Sequence, residues 1–197
     1  LRDAVRDQLR QKLPELDPMA VLMSATHTHT APHTSVYSQY QPDRSPIEHP
    51  YGMKLDAMTP AEYVNWASPR IADAIVHAWQ ERTPGGIGYG LSHAVVGHNR
   101  LITYSSGRSQ MYGNTNHPDF SHVEGYEDHA LNILATYDLE GRLTGLVINI
   151  ACPSQDTEGL HEVSADFWHD TRQELRRRLG DDLFVLDLLE LLPLLGQ

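Results

Sequence analysis

The chain has 197 residues, 40% of them apolar and 21% charged, a globular composition with enough length to bury a core. Its 26 acidic residues against 15 basic ones give a formal charge of −11, which argues against a general nucleic-acid binder, since phosphate neutralisation needs clustered Lys and Arg. One cysteine rules out an internal disulfide, and no apolar run is long enough for a transmembrane segment.

Leu1, Val5, Leu9 and Leu13 recur every four residues and predict a helix with one apolar stripe, ended by Pro14. Ala20-Val21-Leu22-Met23 predicts a short buried strand that emerges into polar Ser24–His29. Residues 31–58, rich in Pro, Ser, Tyr and His without a clean period, read as a long loop. Thr59-Pro60-Ala61-Glu62 starts a helix with an N-cap, a first-turn proline and a capping-box Glu. Tyr63, Trp66, Ile71, Ile75 and Trp79 mark its packed side, Pro69 should kink or interrupt it, and Pro84-Gly85-Gly86 stops it.

Gly86 to Thr103 reads as two short strands or one bent strand, followed by a polar, glycine-containing stretch over 105–126. Leu131–Tyr137 and Leu143–Ala151 flank Asp138-Leu139-Glu140-Gly141-Arg142 and predict a hairpin. Ser164 is placed to cap a last helix lined by Phe167, Thr171, Leu175 and Leu179, with Arg176-Arg177-Arg178 at its solvated end and Gly180 as its stop. Leu183–Leu186 is the last predicted strand. The alternation gives an α/β class, a mixed sheet with flanking helices, incomplete at both ends. One domain is expected over residues 1–186. Residues 187–197 form an atypical leucine-rich tail broken by acids and a proline, which a truncated or frame-shifted reading frame would explain.

The sharpest chemical feature is Ala25-Thr26-His27-Thr28-His29-Thr30-Ala31-Pro32. On a strand, residues two apart share a face, so His27 and His29 could approach one metal ion; two ordinary histidines at a strand end are the alternative. Two histidines alone do not make a catalytic zinc site, which takes three protein ligands and an open position. A second apolar strand breaks into a polar turn at Cys152, in Ile148–Gln155. Its thiolate could bind zinc, the thiol could be a small buried side chain, or it could be a nucleophile. Asn99 and Arg100 end a strand-like run and are good residue types for orienting a substrate, as well as ordinary structural ones. His161, Glu162, Asp166, His169 and Asp170 gather around the start of the last helix.

Thr26-His27-Thr28-His29-Thr30-Ala31-Pro32 resembles the Thr-His-Thr-His-Ser-Gly-Pro signature of the neutral/alkaline ceramidases. Gly86–Arg100, ending in His98-Asn99-Arg100, is similar to a family segment ending in Asn-Arg. Ala151-Cys152-Pro153-Ser154 resembles the family's His-Pro/Ala-Thr-Ser, and Ser164-Ala165-Asp166-Phe167 its Ser-Ala/Gly-Asp element. The order is the family's and covers nearly all of residues 1–186. The resemblance implies a zinc-dependent hydrolase of the N-acyl amide bond of a ceramide-like lipid. It implies His27 and Cys152 as metal ligands, His29 as a catalytic side chain, and Asn99 and Arg100 as substrate-binding residues. Cys152 departs from the histidine expected there. The Gly- and Asp-rich loop, and the later Glu and Tyr that complete the family's zinc site, have no counterpart in the 197 residues. A non-catalytic remnant, or a zinc hydrolase of another amide on the same scaffold, are the alternatives.

Overall fold

A computed structural model describes residues 1–34 and 58–189. Most of the long loop predicted over 31–58 and most of the predicted tail lie outside the described residues. Contacts among the described residues gather into two units: residues 1–24, 30–34, 58–84 and 159–164, and residues 25–29, 85–158 and 165–189.

The first unit is built on helices α1 (Arg2–Lys12) and α2 (Pro60–Gln80). The four-residue stripe buries Val5 and Leu9 completely, against Ala72 and the partly buried Ile71, Ile75 and Val76 of α2. The predicted capping box is present: Thr59 accepts from the Glu62 N–H, and the Thr59 N–H donates to the Glu62 carboxylate at 2.8 Å. Pro69 does not interrupt α2, which runs on for 21 residues. Proline removes one ladder donor, and the Arg70 guanidinium donates to the Trp66 carbonyl at 2.7 Å beside that gap. The strand predicted at Ala20–Met23 is absent. Asp17 instead caps a 3-10 turn over Pro18–Ala20, which fixes Ala20 in a turn, and Arg6 of α1 donates to the carbonyls of Pro18 and Val21.

The second unit is a four-stranded mixed sheet in the order β1-β5-β6-β7, a separate three-stranded sheet in the order β3-β2-β4, and helix α3. The strands are β1 (Gly86–His93), β2 (Leu101–Tyr104), β3 (Ser109–Met111), β4 (Phe120–Val123), β5 (Ala130–Tyr137), β6 (Leu143–Ile150) and β7 (Phe184–Leu189). The predicted hairpin is β5–β6, closed by Asp138, whose carboxylate accepts from the N–H groups of Glu140 and Arg142, and by Gly141 at φ +80°. Gly86–Thr103 proves to be two strands in different sheets. β3 and β4 arise within the polar stretch 105–126, where alternating apolar residues are too few to signal them. β7 runs parallel to β6 and continues to Leu189, past the predicted end at Leu186.

One face of the four-stranded sheet carries Ala135, Leu146, Ile148, Ile150 and Val185 and packs on Trp168 and Leu175 of α3 (Phe167–Leu179). The opposite face leaves Ile87, Tyr89, Leu91, Leu134, Phe184 and Leu186 exposed. Asp187 lies in register with Ile148 on the buried face, its side chain 1% exposed. The Arg172 guanidinium of α3 pairs with Asp187 Oδ2, and burial together with Arg176 pushes Arg172 below its usual value. Asp187 Oδ1 makes no hydrogen bond among the described residues.

A buried charge that loses its partner is strongly destabilising, whereas apolar replacement of both partners is often tolerated. Arg172→Met should therefore lower unfolding free energy by about 3 kcal/mol in urea titration. The double variant Arg172→Met/Asp187→Leu should regain most of that loss.

Candidate functional site

β1 and β6 are both antiparallel to β5 and so run the same way, and their carboxyl ends lie at one edge of the sheet. The loop after β1 carries Gly97–Arg100, and the loop after β6 carries Cys152–Asp166. The backbone N–H of Ser154 donates to the Thr26 carbonyl at 3.1 Å, which brings the His27–His29 segment to the same edge. Loops at the carboxyl ends of strands are where open α/β sheets hold their ligands.

His27 and His29 come together, with ring centroids 5.0 Å apart and planes inclined by 37°. The means differs from the expected strand. Residues 21–28 form no strand, and His27 sits at φ +63°, a left-handed turn that swings its ring toward that of His29. Both residues are exposed.

His29 joins a polar cluster. Its Nδ1 lies 3.3 Å from Glu158 Oε2 and its Nε2 lies 3.1 Å from the Gln155 amide nitrogen. Gln155 also donates to Glu158 at 3.0 Å, and its oxygen accepts from the Arg100 guanidinium at 2.9 Å. Arg100 reaches the Tyr112 hydroxyl at 2.5 Å and stands 5.2 Å from the centre of that ring. Gln155 and Glu158 meet because the chain turns between them, Glu158 N–H pointing to the Gln155 carbonyl. Sequence reasoning did not single out Gln155, Glu158 or Tyr112. A polar turn just after an apolar strand was the available signal for the first two.

Asn99 serves chiefly to hold its own loop. Its backbone N–H donates to Glu127 Oε1 at 2.8 Å and its side-chain amide to the Tyr126 carbonyl at 3.1 Å. Gly125, at φ +96°, leaves room for that amide, since a Cβ there would stand 3.0 Å from it. The Asn99 N–H is the main cause holding Glu127 below the usual carboxylate range against partial burial; His98 and His129, both facing Glu127 Oε2, add to it.

Cys152 is partly buried, its Sγ 3.7 Å from the Pro153 carbonyl oxygen and against Gly97, where a Cβ would come within 3.2 Å of the sulfur. Burial pushes the thiol up, and Asp156 and Asp166 push it the same way. Such a thiol stays protonated at neutral pH, which disfavours the nucleophile among its three readings. Among the described residues no three His, Cys, Asp or Glu side chains are grouped to hold a metal ion. His29 Nε2 faces the Gln155 amide, and its Nδ1 lies 3.3 Å from the Glu158 carboxylate. The described donors therefore do not by themselves fit a catalytic zinc centre with its three protein ligands.

The N-cap of α3 is Asp166, not the expected Ser164, whose N–H goes instead to the Thr30 carbonyl. Asp166 is buried at φ +57°, ψ −154°, a conformation costly for a non-glycine residue. Its carboxylate accepts from the N–H of Phe167, the N–H and hydroxyl of Thr157 and the N–H of Asp156. Burial pushes its carboxyl up, but these donors together outweigh that and hold it below the usual range.

No family model matches the chain, nor does any curated protein. The fold is that of part of solved bacterial ceramidases. Neutral ceramidase from Pseudomonas aeruginosa matches with a TM-score of 0.61 and 19% identity, over 99% of this chain and 30% of that one. A ceramidase complexed with C2 matches with a TM-score of 0.61 and 19% identity, over 95% of this chain and 27% of that one. The chain spans less than a third of the length of either.

Removing the cap and its bonds with Asp166→Ala should cost about 2 kcal/mol of stability at neutral pH. Because the folded carboxyl lies below its unfolded value, its stabilisation is present above that unfolded value, near pH 4. It is lost as pH falls through the lower folded value. Acid unfolding followed by circular dichroism should be shallower for Asp166→Asn than for the parent.

Proposed function

We propose that this chain is part of a ceramidase-like hydrolase that cleaves the N-acyl amide bond of a ceramide-like lipid. The observation that carries the reading is that Gln155 bridges His29 and Arg100 at the carboxyl edge of a ceramidase-type sheet. Arg100 presents an exposed guanidinium suited to an amide carbonyl oxygen, with Asn99 anchoring the loop that carries it. His29 is the catalytic side chain, placed to exchange a hydrogen bond with water or with the oxygen that gains charge on attack. The cofactor that goes with this reading is zinc, with His27 and Cys152 as its proposed ligands. Bound there, zinc would polarise a carbonyl and acidify a water. The partner in this reading is the lipid amide substrate; among the described residues no helix is long and apolar enough to cross a membrane.

A non-catalytic remnant is the second reading, favoured by cysteine at position 152, where the resemblance expects a histidine, and by the want of a three-donor group among the described residues. Two measurements separate the readings. The 197-residue chain should take up zinc weakly in metal analysis, less in His27→Ala and to the same extent in Cys152→His; zinc gained only in Cys152→His would mark Cys152 as a lost ligand. Expressed within its complete reading frame, the protein should hydrolyse a fluorescent ceramide analogue, with turnover lost on chelation and in His27→Ala. Absence of turnover on ceramide and on other N-acyl amides would leave the remnant; turnover on the other amides alone would replace the lipid substrate.

A further inference from the structure

β1 closes the four-stranded sheet on one side, and no described element pairs with its outer edge. One contact just past its end sets the phase of its hydrogen bonds. The Ala94 N–H donates to the His129 carbonyl at 3.0 Å, and the β1–β5 register puts these two residues opposite each other. In an antiparallel pair, bonded and unbonded residues alternate. Gly88, Gly90 and Ser92 therefore turn their backbone groups toward β5, while Ile87, Tyr89 and Leu91 turn theirs outward. The side chains of these last three are also bare, with exposures of 78%, 70% and 58%. Free edges are normally blunted by a charge, a proline, a bulge or brevity. β1 is eight residues long, pairs with β5 without a register shift and contains no proline. No Asp, Glu, Lys or Arg occurs anywhere from Thr83 to Gly97.

We propose that the outer edge of β1 is a self-association surface, which pairs antiparallel with β1 of a second copy of this chain about a two-fold axis at Tyr89. The strand is self-complementary in that register. Tyr89 meets its own counterpart, and Ile87 of each copy meets Leu91 of the other. All of these residues face outward, so the pairs exchange about six backbone hydrogen bonds. The Ile87–Leu91 pairs join aliphatic side chains across the axis. Gly88 and Gly90 fall opposite each other between them and put no side chain in the way on the other face. The Tyr89 hydroxyl donates to Asn132 Oδ1 on β5 at 2.7 Å, which draws the ring over its own sheet and off the axis. Charge favours a second copy over an ionic partner: the edge offers no ion pair, and a chain of formal charge −11 repels itself least along a stretch that carries none. The row Tyr89, Leu134, Val147 and Leu186, which crosses all the strands of one sheet, then runs on into the next. Because the two β1 strands point opposite ways, the carboxyl edges that carry His29 and Arg100 lie at opposite ends of the joined sheet.

The test needs neither metal nor turnover. Sedimentation equilibrium of the 197-residue chain over a dilution series should show twice the chain mass at the concentrated end. Over the same series, amide exchange at Ile87, Tyr89 and Leu91 should slow by about tenfold or more as the dimer forms. The Gly88 and Gly90 amides, already bonded to β5, should be protected throughout. Leu91→Pro removes an N–H that only the second copy uses, a change that an edge strand tolerates. It should abolish the dimer while leaving the circular dichroism spectrum unchanged. Phe184→Lys, on the far strand of the same face, should leave the dimer intact. Mild oxidation should cross-link Tyr89→Cys, whose Cα atoms would stand about 5.5 Å apart across the axis, within disulfide reach. Ile87→Cys, roughly 14 Å from its counterpart, should cross-link no more than the parent with Cys152 alone. Two results overturn the edge pairing. One is a monomer at every concentration, whether its outward amides exchange fast or are shielded by another part of the chain. The other is a dimer lost in Phe184→Lys and kept in Leu91→Pro, which is association by the sheet face. Cross-linking through Ile87→Cys in place of Tyr89→Cys overturns the register.

Discussion

The Asp166 carboxylate is the constraint on which the described site depends. Four donors from three neighbouring residues converge on one buried group. It caps α3 and at the same time draws the loop after β6 back onto the end of the sheet. A loop of that length would otherwise be free to leave the strand end, carrying Gln155 and Glu158 with it. The strained backbone at Asp166 is consistent with this dual use, since aiming the carboxylate at both the helix and the loop calls for a conformation that a simple N-cap does not need. Loop order, helix capping and the placement of the His29 cluster are thus one electrostatic problem with one solution.

The same helix is held at its body by a second charged group. Arg172 and Asp187 tie α3 to the strand it precedes, through a pair that the apolar face of the sheet surrounds. A buried pair of this kind adds little net stability over apolar residues, but it penalises any register of β7 that turns Asp187 away from Arg172. In a strand reading Phe-Val-Leu-Asp-Leu-Leu, where apolar residues occupy both faces, the acid is the residue that marks which face goes in.

Much of this was legible in the sequence because periodicity and turn chemistry are local. The four-residue stripe of α1, the capping box at Thr59, the hairpin around Gly141 and the stop at Gly180 each need only neighbouring residues to be recognised. What was not legible depends on partners far along the chain. The cap of α3 was assigned to Ser164 because serine is a good cap; the hydrogen bond from its N–H to Thr30 could not be read from spacing. The rings of His27 and His29 lie side by side, but not by strand alternation: no strand runs through them and His27 has a left-handed backbone. Gln155 and Glu158 lie about 130 residues from His29 and carry no motif of their own, so only the fold puts them beside it.

The left-handed backbone at His27 has a consequence for how this chain can change over generations. A residue in that conformation is chosen twice, once by its backbone and once by its ring. Valine or isoleucine would strain the turn, whereas asparagine, aspartate and glycine enter it readily. The replacements easiest on the fold are therefore ones that discard the imidazole while leaving the turn intact. Chemistry at this position can be lost by drift with little structural trace, and a descendant could keep the whole architecture of the sheet edge after its histidine has gone.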